Sequence, residues 1–91
     1  MKKYPVVAQE WTESERGWGR RPDGFSLHLT NEACAEFIRR YNAKYNNEKE
    51  TPECYSFADG SPRVIDVGIK TYKKINAGDF GVFVPNLQNL D

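Results

Sequence analysis

The sequence predicts an α+β fold: an antiparallel sheet of about five strands, made of two hairpins plus a C-terminal strand, with one main helix and one short helix packed on one face. Three observations predict it. Residues 31–46 carry an apolar stripe at helical spacing, whereas apolar residues elsewhere alternate with a period of two over short runs. Clusters of turn residues, Pro22-Asp23-Gly24 and Asp59-Gly60-Ser61, separate those runs. The length of 91 residues suits a single domain over 1–91. A domain of that size buries roughly 60–65% of its unfolded surface, so its core is modest.

The first strand is expected over 3–12. Tyr4, Val6 and Ala8 fall on one face, and Pro5, Val7, Gln9 and then Trp11 on the other. Pro5 has no N–H to give to a ladder, which sends it to a strand start or an edge. From Thr12 to Arg16 the chain is polar and is expected to leave the sheet. Gly17 and Gly19 then flank Trp18, which presents the indole on a bent loop. Pro22-Asp23-Gly24 closes that loop as a turn, and Phe25, Leu27 and Leu29 alternate against Ser26, His28 and Thr30 as the second strand, 25–30. The first two strands form a hairpin with the 13–24 loop at its tip.

Thr30 is a good N-cap for the main helix, 31–46, whose stripe is Cys34, Phe37, Ile38, Tyr41 and Tyr45. Glu32 and Glu36 lie in its first half and Arg39, Arg40 and Lys44 in its second. That order complements the helix dipole and allows a Glu36–Arg40 pair at i, i+4. A charged loop, 48–53, leads to a short strand at 54–57, a turn at 58–61 and a returning strand at 63–67, the second hairpin. Ile69, Tyr72 and Ile75 fit a short helix with Lys70, Lys73 and Lys74 outside and Ala77-Gly78 as its C-terminal cap. The last strand, 80–84, stops at Pro85, and the tail 86–91 is expected to be loose.

Composition excludes the extremes. Thirteen basic residues balance thirteen acidic ones. That balance argues against a dedicated nucleic-acid binder, which is usually strongly basic, and against a polyanionic DNA mimic. Cys34 and Cys54 have no zinc spacing, and His28 is the one histidine in the chain, so neither a metal site nor a cofactor is expected. Two cysteines are fewer than small disulfide-stapled secreted domains carry, which reads as reduced thiols and a cytoplasmic location. No apolar run approaches ~18 residues, and Met1-Lys2-Lys3 is followed by Tyr4-Pro5 without an apolar signal region, so no membrane association is expected.

The run Gly17-Trp18-Gly19-Arg20-Arg21-Pro22-Asp23-Gly24-Phe25-Ser26-Leu27-His28-Leu29, with Trp11 before it, Phe37-Ile38 and Tyr41 after it, and then Tyr55-Ser56 and Asp59-Gly60-Ser61-Pro62, resembles a group of small single-domain bacterial and phage or prophage proteins of no assigned activity. The resemblance covers most of residues 4–67. It implies a mobile-element context, in which small proteins often act by binding and disabling a host machine. It supplies no catalytic residues.

The candidate binding residues are Trp18, Arg20, Arg21, Arg16 and Asp23. Trp and Arg dominate binding hot spots, and a Pro-Asp-Gly base limits the entropy a loop loses on docking. Arg20 and Arg21 are adjacent, so in an extended segment they point to opposite sides, and Arg20 is the one expected to share a face with Trp18. The expected function is a non-enzymatic protein–protein interaction module, a phage or mobile-element inhibitor that binds a host defence complex through the 13–24 loop, as anti-CRISPR proteins do. Direct nucleic-acid binding is not expected. The alternative is a small ribonuclease-like toxin using His28 with Arg20 or Arg21, which requires those groups to converge.

Overall fold

The computed structural model describes residues 2–15, 17, 19–45 and 54–91, with Cys54 described by its backbone alone. In chain order the elements are β1 (Tyr4–Glu15), β2 (Gly19–His28), α1 (Asn31–Tyr45), β3 (Cys54–Ala58), β4 (Arg63–Val67), α2 (Ile69–Ala77) and β5 (Val82–Val84). All five strands belong to one sheet, and every pairing is antiparallel. The expected α+β class with an antiparallel five-stranded sheet and two helices is therefore present.

The sheet is organised around β1, twelve residues long. On one side β1 pairs with β2, which in turn pairs with β5 through Phe25–Val84, Ser26–Phe83 and Leu27–Val82. On its other side β1 takes two short strands end to end. β3 pairs with its outer half, from Glu15–Cys54 to Trp11–Ala58, and β4 with its inner half, from Ala8–Arg63 to Tyr4–Val67. The second hairpin is thus corrected. β3 and β4 do not pair with each other but continue in one direction along the same edge of β1. The break between them is held by Gln9, 1% exposed, whose amide donates to the carbonyls of Glu10, Asp59 and Gly60. Thr12 Oγ1 adds a bond to Asp59 Oδ2, and Asp59 N–H returns to the ladder by donating to Glu10 O. The Asp-Gly-Ser turn composition is real, but here it makes a kink in one strand line instead of a reversal.

The placement of both helices on one face is also corrected. Val6 and Ala8 of β1, Leu27 of β2 and Val67 of β4 form one buried cluster with Ile75 of α2, and Tyr72 of α2 stacks on Tyr4 at 4.6 Å. The alternate residues point the other way. Trp11 of β1 meets Phe37 and Tyr41 of α1 and Phe83 of β5, and His28 of β2 meets Phe37. Side chains alternate across a strand, so α1 and α2 cover opposite faces. The unbroken buried run Val6-Val7-Ala8-Gln9 is the mark of a strand covered on both sides.

Capping follows composition at α1, where Ala33 N–H donates to Thr30 Oγ1 at 3.0 Å. At α2 the N-cap is Gly68, which has no side chain to offer. The tail supplies the caps instead. Gly68 N–H donates to Leu90 O at 2.7 Å, Thr71 N–H donates to Asp91 O, and Leu87 and Leu90 pack against the α2-side core. The tail 86–91 is therefore docked, not loose. Gly78 closes α2 with extended backbone rather than the left-handed form, its N–H donating to Lys74 O and Ile75 O. No helix among the described residues is long and apolar enough to cross a membrane.

The candidate functional site is a three-stranded arm

The expected 13–24 loop is corrected as well. Residues 13–15 continue β1 and residues 19–24 belong to β2, so these residues form a ladder that runs out to the Glu15–Gly19 pair. With 54–58 of β3 on the other side, the outer half of the sheet is an arm of three strands. It lengthens the molecule to 46 Å against 23 and 19 Å in the other directions. The radius of gyration, 13.9 Å, exceeds the roughly 12 Å expected for a compact chain of this size.

A β-bulge decides what the arm presents. Trp11 lies opposite Gly24 but Thr12 lies opposite Pro22, so Asp23 is an extra residue in β2. Gly24, at φ +124°, makes the bulge possible, and a Cβ there would meet Val84 O at 2.6 Å. The insertion resets the alternation of everything outward of it. Arg21 comes opposite Glu13, on the face that carries α1, and bonds its carboxylate at 3.0 Å. Arg20 comes opposite Ser14, on the face away from α1, and its guanidinium lies 5.3 Å from the centre of the Phe57 ring. Asp23 accepts the Ser56 hydroxyl at 2.7 Å. Tyr41 of α1 reaches the same spot. Burial raises its hydroxyl pKa, a hydrogen bond with Ser56 opposes the shift, and the Asp23 carboxylate reinforces it.

The two faces of the arm therefore differ. The α1-side face is a polar web of Glu13, Arg21, Asp23, Ser56 and Tyr41. The opposite face carries Arg20, Phe57 and Tyr55, with the Tyr55 and Phe57 rings 5.8 Å apart. Further along it a second diagonal pair crosses β1: the Arg63 guanidinium lies 5.7 Å from the centre of the Phe25 ring, with exposed Glu10 between the two pairs. The helix α2 lies over the inner half of that face, where Val6, Ala8, Leu27 and Val67 are buried. Over its outer half the rings of Phe25, Tyr55 and Phe57 are each half-exposed.

Of the residues singled out in the sequence, Arg16 and Trp18 lie outside the described residues. Arg20, Arg21 and Asp23 are all on the arm but are not gathered on one surface. Sequence reasoning missed Tyr55, Phe57, Phe25 and Arg63. The Tyr-Ser-Phe alternation in β3 was the available signal for the first two.

His28 and the arginines are not brought together. His28 pairs with Val7 and Arg20 with Ser14, seven residues apart on β1, which is roughly 23 Å at strand rise. The imidazole is 0% exposed. Its Nδ1 is 2.6 Å from Phe80 O and its Nε2 2.7 Å from Ser26 Oγ, which also accepts Trp11 Nε1–H at 2.7 Å. Burial lowers the His28 pKa, and the Phe80 carbonyl partly offsets that. Cys34 is a buried free thiol whose pKa burial pushes up, the opposite of what a nucleophilic cysteine needs. Among the described residues, no group of three His, Cys, Asp or Glu is placed to hold a metal ion. Compared with protein-family models, curated proteins and solved structures, the chain matches none.

Proposed function

We propose that the chain is a non-enzymatic protein-binding module, and that its contact is the arm, through the face that carries Arg20, Tyr55 and Phe57. The observation that carries this reading is the Arg20 guanidinium over the Phe57 ring, 5.3 Å from its centre, on the outer half of a sheet face whose inner half α2 covers. A guanidinium held over a ring keeps N–H groups for a partner, and it loses less side-chain freedom on docking than an arginine in open solvent. Arg and Tyr are also the residue types enriched at binding hot spots. The setting suggested by the resemblance of the 17–29 run is a phage or mobile-element product that disables a host defence complex, as anti-CRISPR proteins do. His28 and Cys34 support the non-enzymatic part, because both are buried and His28 has both ring nitrogens bonded.

The test is affinity capture of a partner with the tagged chain, followed by titration of that partner with Arg20→Ala and Tyr55→Ala. Both variants should keep stability within roughly 1 kcal/mol, while each weakens binding by about 2 kcal/mol or more. Unchanged affinity in both variants would move the contact off this face.

A further inference from the structure

We propose that His28 is an acid-released latch: its neutral ring fastens residues 80–84 to β2, and its protonation lets that segment swing away and uncover the aromatic layer beneath α1. In the neutral ring the bonding pattern fixes the tautomer. A carbonyl oxygen can only accept, so the Nδ1 that faces Phe80 O carries the hydrogen. Nε2 is then the bare nitrogen and accepts the Ser26 hydroxyl, while Ser26 Oγ accepts the Trp11 indole N–H. The chain of donors runs one way, from Trp11 through Ser26 and His28 to Phe80. Adding a proton to Nε2 breaks that order. Ser26 Oγ would have to accept from Trp11 and His28 at once, and its own hydrogen would lose its acceptor.

Among the described residues nothing charged faces the ring to compensate. From α1 it meets the edge of Phe37, ring centres 5.0 Å apart. Glu36, one residue earlier, is bonded to Arg39 and Arg40. From β1 it meets Val7, its ladder partner, and through Ser26 the Trp11 indole. From 80–84 it meets the Phe80 carbonyl and Gly81, so closely that a Cβ on Gly81 would collide with Nδ1. Asp79, just before, is held by Arg40, whose guanidinium also lies 4.4 Å from the Phe80 ring centre on the outer side. A cation placed among these groups is poorly solvated, and it relaxes by opening.

The element that gives is β5. It is three residues long, and among the described residues it pairs only with 25–27 of β2. Its Phe83, 47% exposed, lies against Trp11, Phe37 and Tyr41, so opening releases one wall of that aromatic layer. With an ordinary histidine pKa near 6.5 in the opened form and no protonation in the closed one, going from pH 7.5 to 5.0 raises the open population by about 30-fold.

Native-state hydrogen exchange tests this. After correction for intrinsic rates, the amides of 82–84 should be less protected than those of 6–8, should lose about 30-fold protection between pH 7.5 and 5.0, and should not respond to low urea, whereas those of 6–8 should exchange by global unfolding and respond to it. The variant His28→Gln, which cannot titrate, should flatten the response at 82–84. The same protection and the same urea dependence at 82–84 as at 6–8 would mean global unfolding and overturn the latch. So would a pH-independent 82–84, or an unflattened response in the variant. Should that variant fail to fold, imidazole ¹⁵N spectra of the unmodified chain decide. A neutral Nδ1–H ring in the protected form at pH 5.5 supports the latch, and an imidazolium with protection intact overturns it.

Discussion

Ser26 is the residue on which the α1-side layer turns. Its side chain is fully buried, and its single oxygen serves the Trp11 indole and the His28 ring together. Removing it leaves two buried polar groups without partners, each at roughly 1–3 kcal/mol. Ser26→Ala should therefore lower unfolding stability by about 2–5 kcal/mol in a urea titration. Ser61→Ala, on an exposed position, should change it by less than about 0.5 kcal/mol. A Ser26→Ala result as small as the Ser61 one would mean that the bonds to Ser26 are replaceable. Alternation in the sequence correctly put Ser26 and His28 on the face opposite Phe25 and Leu27. It could not show that α1 covers that polar-looking face, because a serine and a histidine read as solvent-facing until their hydrogen-bond partners, up to 52 residues away, are known.

At the scale of elements, α2 depends on chain far from it. Its own sequence gives it an apolar stripe and three exposed lysines but no N-cap side chain. Leu90 and Asp91 provide the missing acceptors, and Leu87 and Leu90 wedge against the core beside Ile75. Leu90→Ala should cost about 2 kcal/mol, near the lower end for a leucine truncation because the side chain is only half-buried. Exchange protection should fall first in 71–75. A change below about 0.5 kcal/mol would mean that the tail contributes no packing. The helix α1 is the contrasting case, with its cap, its stripe and its Glu36–Arg40 pair at 3.0 Å all inside its own sequence. Arg39 and Arg40 together hold the Glu36 carboxyl down to about 2.

For the whole molecule, that shift and the one at His28 act in different pH windows. Glu36 is depressed, so its contribution is present above its unfolded value, near 4.5, and is lost only as the pH falls toward 2. The His28 pKa is lowered because the folded ring resists protonation, so stability is complete above its unfolded value, near 6.5, and falls as the pH drops below that. Between pH 7 and 5 the urea midpoint should fall, with a slope of up to about 1.4 kcal/mol per pH unit below pH 6.5. A stability that rises or stays flat over that interval would contradict the burial of a neutral imidazole. The arm is a separate matter of shape. It stands outside the two helix-covered cores, so substitutions on its uncovered face should register in binding far more than in melting.

The sequence by itself determined the α+β class, the extent of α1 and its Thr30 cap, β4, the antiparallel β1–β2 pair and the opposite orientation of Arg20 and Arg21. Each of these is written in a window of a few residues, as a period, a cap or an alternation. Only the tertiary structure decided that β3 and β4 share one edge of β1, that the helices take opposite faces, and that 13–15 and 19–24 are ladder and not loop. Those are choices of partner between segments distant in sequence, and local propensity is silent on them. The arm joins both kinds of information. Without the extra residue at Asp23, Arg21 would lie opposite Ser14, on the face of Phe57. With it, Arg20 takes that place, 37 residues before the ring it covers, and a bulge that resets alternation can be read only from the pairing across the ladder.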